Sequence, residues 1–130
     1  MSQSRIYNED CIIGMRNRIE NESIDMVFTD PPYGIEGDKT DIHYARDENF
    51  VVPGYVDVPK KEYARFSQDW ITELARIMKP GGSVYIVSGW SNLIHILNAL
   101  HTTDLHEIHH LIAQYSFGVY TKNKWVSSHY

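Results

Sequence analysis

An apolar stripe at helical spacing lies between two short apolar runs, and that order leaves few folds open. Tyr63, Phe66, Trp70, Leu74 and Ile77 fall on one face of a helix predicted over residues 60–78. Before it runs Ile24-Asp25-Met26-Val27-Phe28-Thr29, and after it Ser83-Val84-Tyr85-Ile86-Val87-Ser88, both rich in strand formers. Pro80-Gly81-Gly82 reads as a helix stop followed by a tight turn. Strand, long crossover helix, strand is the order of a parallel α/β sheet with flanking helices. The second run has few polar positions and is expected to be a buried strand.

The flanking segments extend this pattern. Arg5-Ile6-Tyr7-Asn8 is a candidate short strand, and Asp10 a helix N-cap. Cys11, Ile12, Met15 and Ile19 recur at helical spacing, and Asn21-Glu22-Ser23 ends that helix. Residues 35–59 lose all periodicity. So long an irregular stretch is usually a functional lid or a mobile segment, and mobility is the expectation here. Ser91 reads as the cap of a helix reaching about Leu100, and residues 112–121 as a last strand.

Composition narrows the function classes. The chain has 130 residues, enough for one modest domain. No run is long and apolar enough to span a membrane, and Met1-Ser2-Gln3-Ser4-Arg5 lacks the apolar core of a signal peptide. A single cysteine, Cys11, excludes an internal disulfide framework and fits a reducing cytoplasm, the expected location. The net charge of -5 disfavours tight phosphate binding unless the basic residues gather on one face.

The chemistry concentrates at Asp30-Pro31-Pro32-Tyr33-Gly34, directly after the first strand. Two prolines fix φ and remove two backbone donors, so their carbonyls remain as acceptors in a stiff turn. Asp30 adds a carboxylate, and Tyr33 a flat face with a hydroxyl. Such a turn suits a planar group bearing an amine. The turn and its setting resemble the amino-methyltransferases, which methylate the exocyclic amine of adenine or cytosine with S-adenosylmethionine. That resemblance implies a partial Rossmann-like methyltransferase fold, with Asp30, Pro31, Pro32 and Tyr33 as the catalytic turn at the carboxyl end of a central strand.

Only 29 residues precede Asp30, too few for a Gly-rich cofactor loop and a ribose-binding strand in the ordinary order. The chain therefore resembles the permuted beta class, in which the base-binding half comes first. On that resemblance residues 1–130 are the N-terminal portion of one catalytic domain, without the Gly-rich half and inactive alone. The partners implied are DNA and either a second copy or a cofactor-binding half. Related RNA and protein methyltransferases keep the unpermuted order, which favours DNA and a restriction-modification setting. Asp at the first position of the turn leans towards adenine; cytosine enzymes often carry Ser.

Two further segments fit the same family. Asn8-Glu9-Asp10-Cys11 matches its short acidic motif, making Asp10 and Cys11 candidates for the cofactor's adenine, while Asp10 remains equally a helix cap. Val119-Tyr120-Thr121-Lys122-Asn123 is similar to its aromatic-x-Lys-Asn segment, making Tyr120, Lys122 and Asn123 candidates for the base pocket alongside Tyr33. The family often has Trp where Tyr120 stands, and Tyr120 fits a core strand position as well. It often has a carboxylate after a histidine, where Tyr130 follows His129.

Two readings from other classes remain. A split or non-catalytic subunit, binding nucleic acid or another chain, would carry the same turn. His106-Glu107-Ile108-His109-His110 contains the His-Glu-x-x-His pattern of zinc hydrolases, whose chemistry needs two imidazoles one helical turn apart. A solvated histidine-rich connector explains that segment too, and no metal is expected.

Overall fold

The computed structural model describes residues 4–35 and 57–113. Five elements follow one another: α1 (Cys11–Arg18), β1 (Ile24–Thr29), α2 (Tyr63–Ile77), β2 (Met78–Ile86) and α3 (Leu93–Leu100). β1 and β2 pair in parallel, with Val27 opposite Val84 and Thr29 opposite Ile86. The architecture is a partial α/β fold of the expected kind: strand, crossover helix, parallel strand.

The core forms where α2 lies against the sheet. Tyr63, Trp70, Ile71, Leu74 and Ile77 of α2 are buried with Met78 of β2 and Ile96 and Ala99 of α3. Val27 of β1 and Val84 and Ile86 of β2 pack on this cluster from the sheet, and Ile12, Met15 and Ile19 from α1. Fully burying one such aliphatic side chain contributes about 1.5–3 kcal/mol. Cys11 does not share the α1 apolar face and is exposed.

Polar contacts fix α1 on the end of α2. Glu73 is buried and accepts from Arg16 Nε at 2.9 Å and Arg76 Nε at 2.8 Å. Arg76 also donates to the carbonyls of Ile19 and Met15, at 3.0 and 2.7 Å; the Met15 carbonyl also accepts the Ile19 N–H that closes α1, so the guanidinium grips the last turn of that helix. The paired guanidinium of Arg76, and then that of Arg16, outweigh burial and hold the Glu73 carboxyl below the usual carboxylate range.

Several sequence expectations are corrected. Residues 5–8 form no strand; Tyr7 instead lies under the Arg18 guanidinium, 5.2 Å from its ring centre, and Glu9 pairs with the same arginine. The helix over 60–78 begins as a 3-10 turn at Lys60–Glu62 and ends at Ile77, before Pro80-Gly81-Gly82. Pro80 has no N–H to continue the helix and restricts Lys79, its predecessor; the chain is extended one residue earlier still, at Met78. Pro80-Gly81-Gly82 sits inside β2 as an irregularity: β1 advances from Ile24 to Met26 while β2 advances from Met78 to Ser83.

β2 is not buried throughout. Its second half alternates, because among the described residues helices cover one face of the sheet. On the other face Phe28 and Tyr85 stack at 6.4 Å between ring centres and stay largely exposed. Ser91 caps nothing; it lies within a 3-10 turn, Trp90–Asn92, that has no side-chain cap. The expected strand at 112–121 falls mostly outside the described residues, as does most of the 35–59 segment. Among the described residues no helix is long and apolar enough to cross a membrane.

Candidate functional site at the carboxyl end of the sheet

β1 leaves the sheet at Thr29, whose carbonyl accepts from Val87 N at 2.9 Å. Asp30 to Gly34 therefore start at the carboxyl end of both parallel strands, beside the segment that follows β2. In open α/β sheets that end is where ligands bind. Asp30 is exposed, and Pro31, Pro32 and Tyr33 are half-buried. The Tyr33 hydroxyl donates to Asp30 Oδ1 at 2.7 Å, so ring and carboxylate stand together on one side of the turn.

The far end of the turn is held from below. Gly34 has φ +66° and is buried. Its N–H donates to Asp57 Oδ1 at 2.9 Å, and Ile35 N–H to Asp57 Oδ2 at 2.8 Å. Val58 N–H adds a third bond to Oδ1 at 2.9 Å. Asn92 Nδ2 donates to the carbonyls of Tyr33 and Gly34, at 2.7 and 3.0 Å. A Cβ on Gly34 would stand 2.4 Å from Tyr63 Cδ2, so the Tyr63 ring lies flush against the turn. Asp57, Asn92 and Tyr63 are all buried.

These supports were not identified from the sequence. Asp57 sits in the aperiodic segment ahead of α2, and Asn92 resembles an ordinary residue at a helix start. Only the burial of a carboxylate and an amide, each needing partners, marks them.

The other candidate residues are placed differently. Asp10 is the N-cap of α1, its Oδ1 accepting from Ile13 N at 3.0 Å. Desolvation of the sulfur, and then the neighbouring Asp10 carboxylate, push the Cys11 thiol up. Tyr120, Lys122, Asn123 and His129 lie outside the described residues, so only the Asp30–Tyr33 part of the expected base pocket is seen. His106 to His110 are exposed and lie in no helix, so the two imidazoles are not set one helical turn apart. Among the described residues no three metal-binding side chains cluster.

The sequence model of a family described as DNA methylase matches residues 24–129. The chain belongs to the DNA methylase family. Among its relatives, the type II methyltransferase M.HpaI of Haemophilus parainfluenzae is 30% identical over 96 residues, covering 74% of this chain and 26% of that protein. The type II methyltransferase M.HinfI of Haemophilus influenzae is 33% identical over 93 residues, covering 70% and 26%. M.BamHI of Bacillus amyloliquefaciens is 34% identical over 82 residues, covering 63% of this chain and 16% of its own length. This DNA methylase chain thus spans about a quarter or less of each relative. The family match starts at Ile24, the first residue of β1, so it takes in both the Asp30 turn and its supports.

Proposed function

We propose that this chain forms the base-binding side of a DNA amino-methyltransferase acting on adenine or cytosine. The observation that carries the reading is the turn itself: an exposed carboxylate and an aromatic side chain joined at 2.7 Å, beside two prolyl carbonyls, at the carboxyl end of the sheet. The target base is flipped from the duplex, as chemistry on a stacked base requires. Asp30 and the Pro31 carbonyl accept from its exocyclic NH2 while Tyr33 stacks on the ring. Those bonds draw the nitrogen lone pair out of conjugation and aim it along the transfer direction. Alignment and fixed dipoles then supply most of the acceleration, with no prior deprotonation. Asp first in the turn favours adenine.

S-adenosylmethionine supplies an electrophilic methyl group in such a reaction. One contact towards it fits this chain. Asp10 uses Oδ1 for its helix cap, and a carboxylate has a second oxygen that can accept from an adenine amine. Cys11 stands beside it. The chain's eight glycines form no Gly-rich loop, so residues 1–130 carry the acceptor side and do not methylate DNA alone. Titration calorimetry with S-adenosylmethionine then shows no micromolar binding; robust turnover would place the donor site within these residues.

The base-binding reading is tested with nucleosides, which need no recognition sequence. The isotope-labelled 130-residue chain is titrated with deoxyadenosine, deoxycytidine and thymidine while the Tyr33, Gly34 and Ile35 amide signals are followed. The amine-bearing nucleosides shift these signals at lower concentration than thymidine, which can only stack. Equal responses to all three would overturn the reading.

A further inference from the structure

Backbone donors are scarce in the Asp30–Tyr33 turn. Pro31 and Pro32 have no N–H to give, and Asp30 and Tyr33 spend a side-chain bond on each other. Gly34, the next residue, carries φ +66°, a conformation that leaves the chain direction free to vary unless something fixes it. Two buried side chains from distant parts of the sequence supply the missing constraints. They act on complementary groups: Asp57 accepts from the N–H groups of Gly34 and Ile35, and Asn92 donates to the carbonyls of Tyr33 and Gly34.

The two are also independently anchored. Asp57 bonds Val58 N–H, just ahead of the helical turn that opens α2, and Asn92 immediately precedes α3. Tyr63 presses on Gly34 from α2 itself. α2 and α3 share the core, so the turn is referenced to the buried cluster. A buried carboxylate without its N–H donors, or a buried amide without its carbonyls, is costly, so displacing the turn breaks four bonds rather than one.

We infer that Asp57 and Asn92 are positioning residues that fix the direction of the Asp30 and Pro31 acceptors, and so set selectivity for an amine-bearing base. The inference rests on the base-binding reading above and adds residues to it. Loosening either side chain leaves Tyr33 able to stack on any base but lets the acceptors wander. Stacking then persists while recognition of the amine is lost.

The test compares deoxyadenosine with deoxyinosine, which carries a carbonyl where deoxyadenosine has its amine. The wild-type chain prefers deoxyadenosine by about tenfold or more, the range of a hydrogen bond to a charged acceptor. In Asp57→Ala and Asn92→Ala that preference falls towards one. Asn92→Asp keeps shape but sets a carboxylate against two carbonyl oxygens, and is at least as damaging as Asn92→Ala. Asp57→Asn keeps one acceptor oxygen and retains a preference between those of wild type and alanine. A purely structural role cannot mimic this result, because a smaller folded fraction weakens both nucleosides equally and leaves their ratio unchanged. If Asp57→Ala does not fold, Asp57→Asn and Asn92→Asp decide. Folded variants that keep the full preference overturn the positioning role alone. A wild-type chain that shows no preference overturns the base-binding reading and the positioning role with it.

Discussion

The Tyr33 hydroxyl donates to Asp30 Oδ1 at 2.7 Å, so the aromatic side chain and the carboxylate of the candidate site occupy each other. An incoming amine can bond the second oxygen, Oδ2, or compete with that hydroxyl at Oδ1. The bond is exposed, and exchanging it for a base contact costs little beyond the ring's reorientation.

Substitutions at Tyr33 separate ring from hydroxyl. Tyr33→Phe removes a competitor for Asp30 and keeps the aromatic face, so deoxyadenosine affinity stays within about threefold of wild type. Tyr33→Ala removes the stacking surface and weakens binding by about 1–3 kcal/mol. Nucleoside titration of the three chains checks both values. Phe proving as damaging as Ala would mean that the hydroxyl, not the ring, does the binding.

On the proposed reading, Asp30 serves binding and not the fold. It is exposed and packs in no core cluster, so Asp30→Ala changes stability by about 0.5 kcal/mol or less. The same variant loses the preference for deoxyadenosine over deoxyinosine. Urea unfolding and nucleoside titration give the two numbers from one preparation.

The two left-handed glycines among the described residues respond differently to a methyl group. Gly34→Ala combines φ +66° with a Cβ 2.4 Å from the Tyr63 ring, and costs more than about 2 kcal/mol. Gly81→Ala has φ +80° but meets nothing within 4 Å, and costs about 1 kcal/mol, the conformational part alone. Similar losses in urea unfolding would mean that the Tyr63 ring moves aside freely.

Acid acts through Glu73. Its carboxyl lies below its ordinary value because Arg76, then Arg16, bond the charged form. A group with a depressed folded pKa stabilises fully above its unfolded pKa of about 4.3 and loses that stability as pH falls through the folded value. Thermal unfolding between pH 7 and pH 3 shows a drop that begins as pH falls to about 4.3, the pKa of a free glutamate. Glu73→Gln is less stable at pH 7 and has a shallower acid limb; an unchanged limb would assign the acid sensitivity to other carboxylates.

Local chemistry explains why so much was legible beforehand. Apolar periodicity located α2, because burying one face of a helix requires a 3.6-residue repeat along the chain itself, and a short run of strand formers located β1. The stiffness of the Asp30 turn follows from its own prolines. The errors came where a neighbour outranked the local signal. Tyr7 met Arg18 rather than a strand partner, and Met78 paired with Ile24 of β1, so β2 opened ahead of Pro80.

The sequence by itself determined the strand, the crossover helix and the acceptor turn, since each is set by residues adjacent in the chain. Only the tertiary structure decided what holds that turn in place. Asp57 reaches Gly34 across 23 residues, and Asn92 reaches Tyr33 across 59. A hydrogen bond formed over such a separation leaves no repeat in the sequence; it becomes visible when folding buries an acceptor and a donor beside the backbone groups they satisfy.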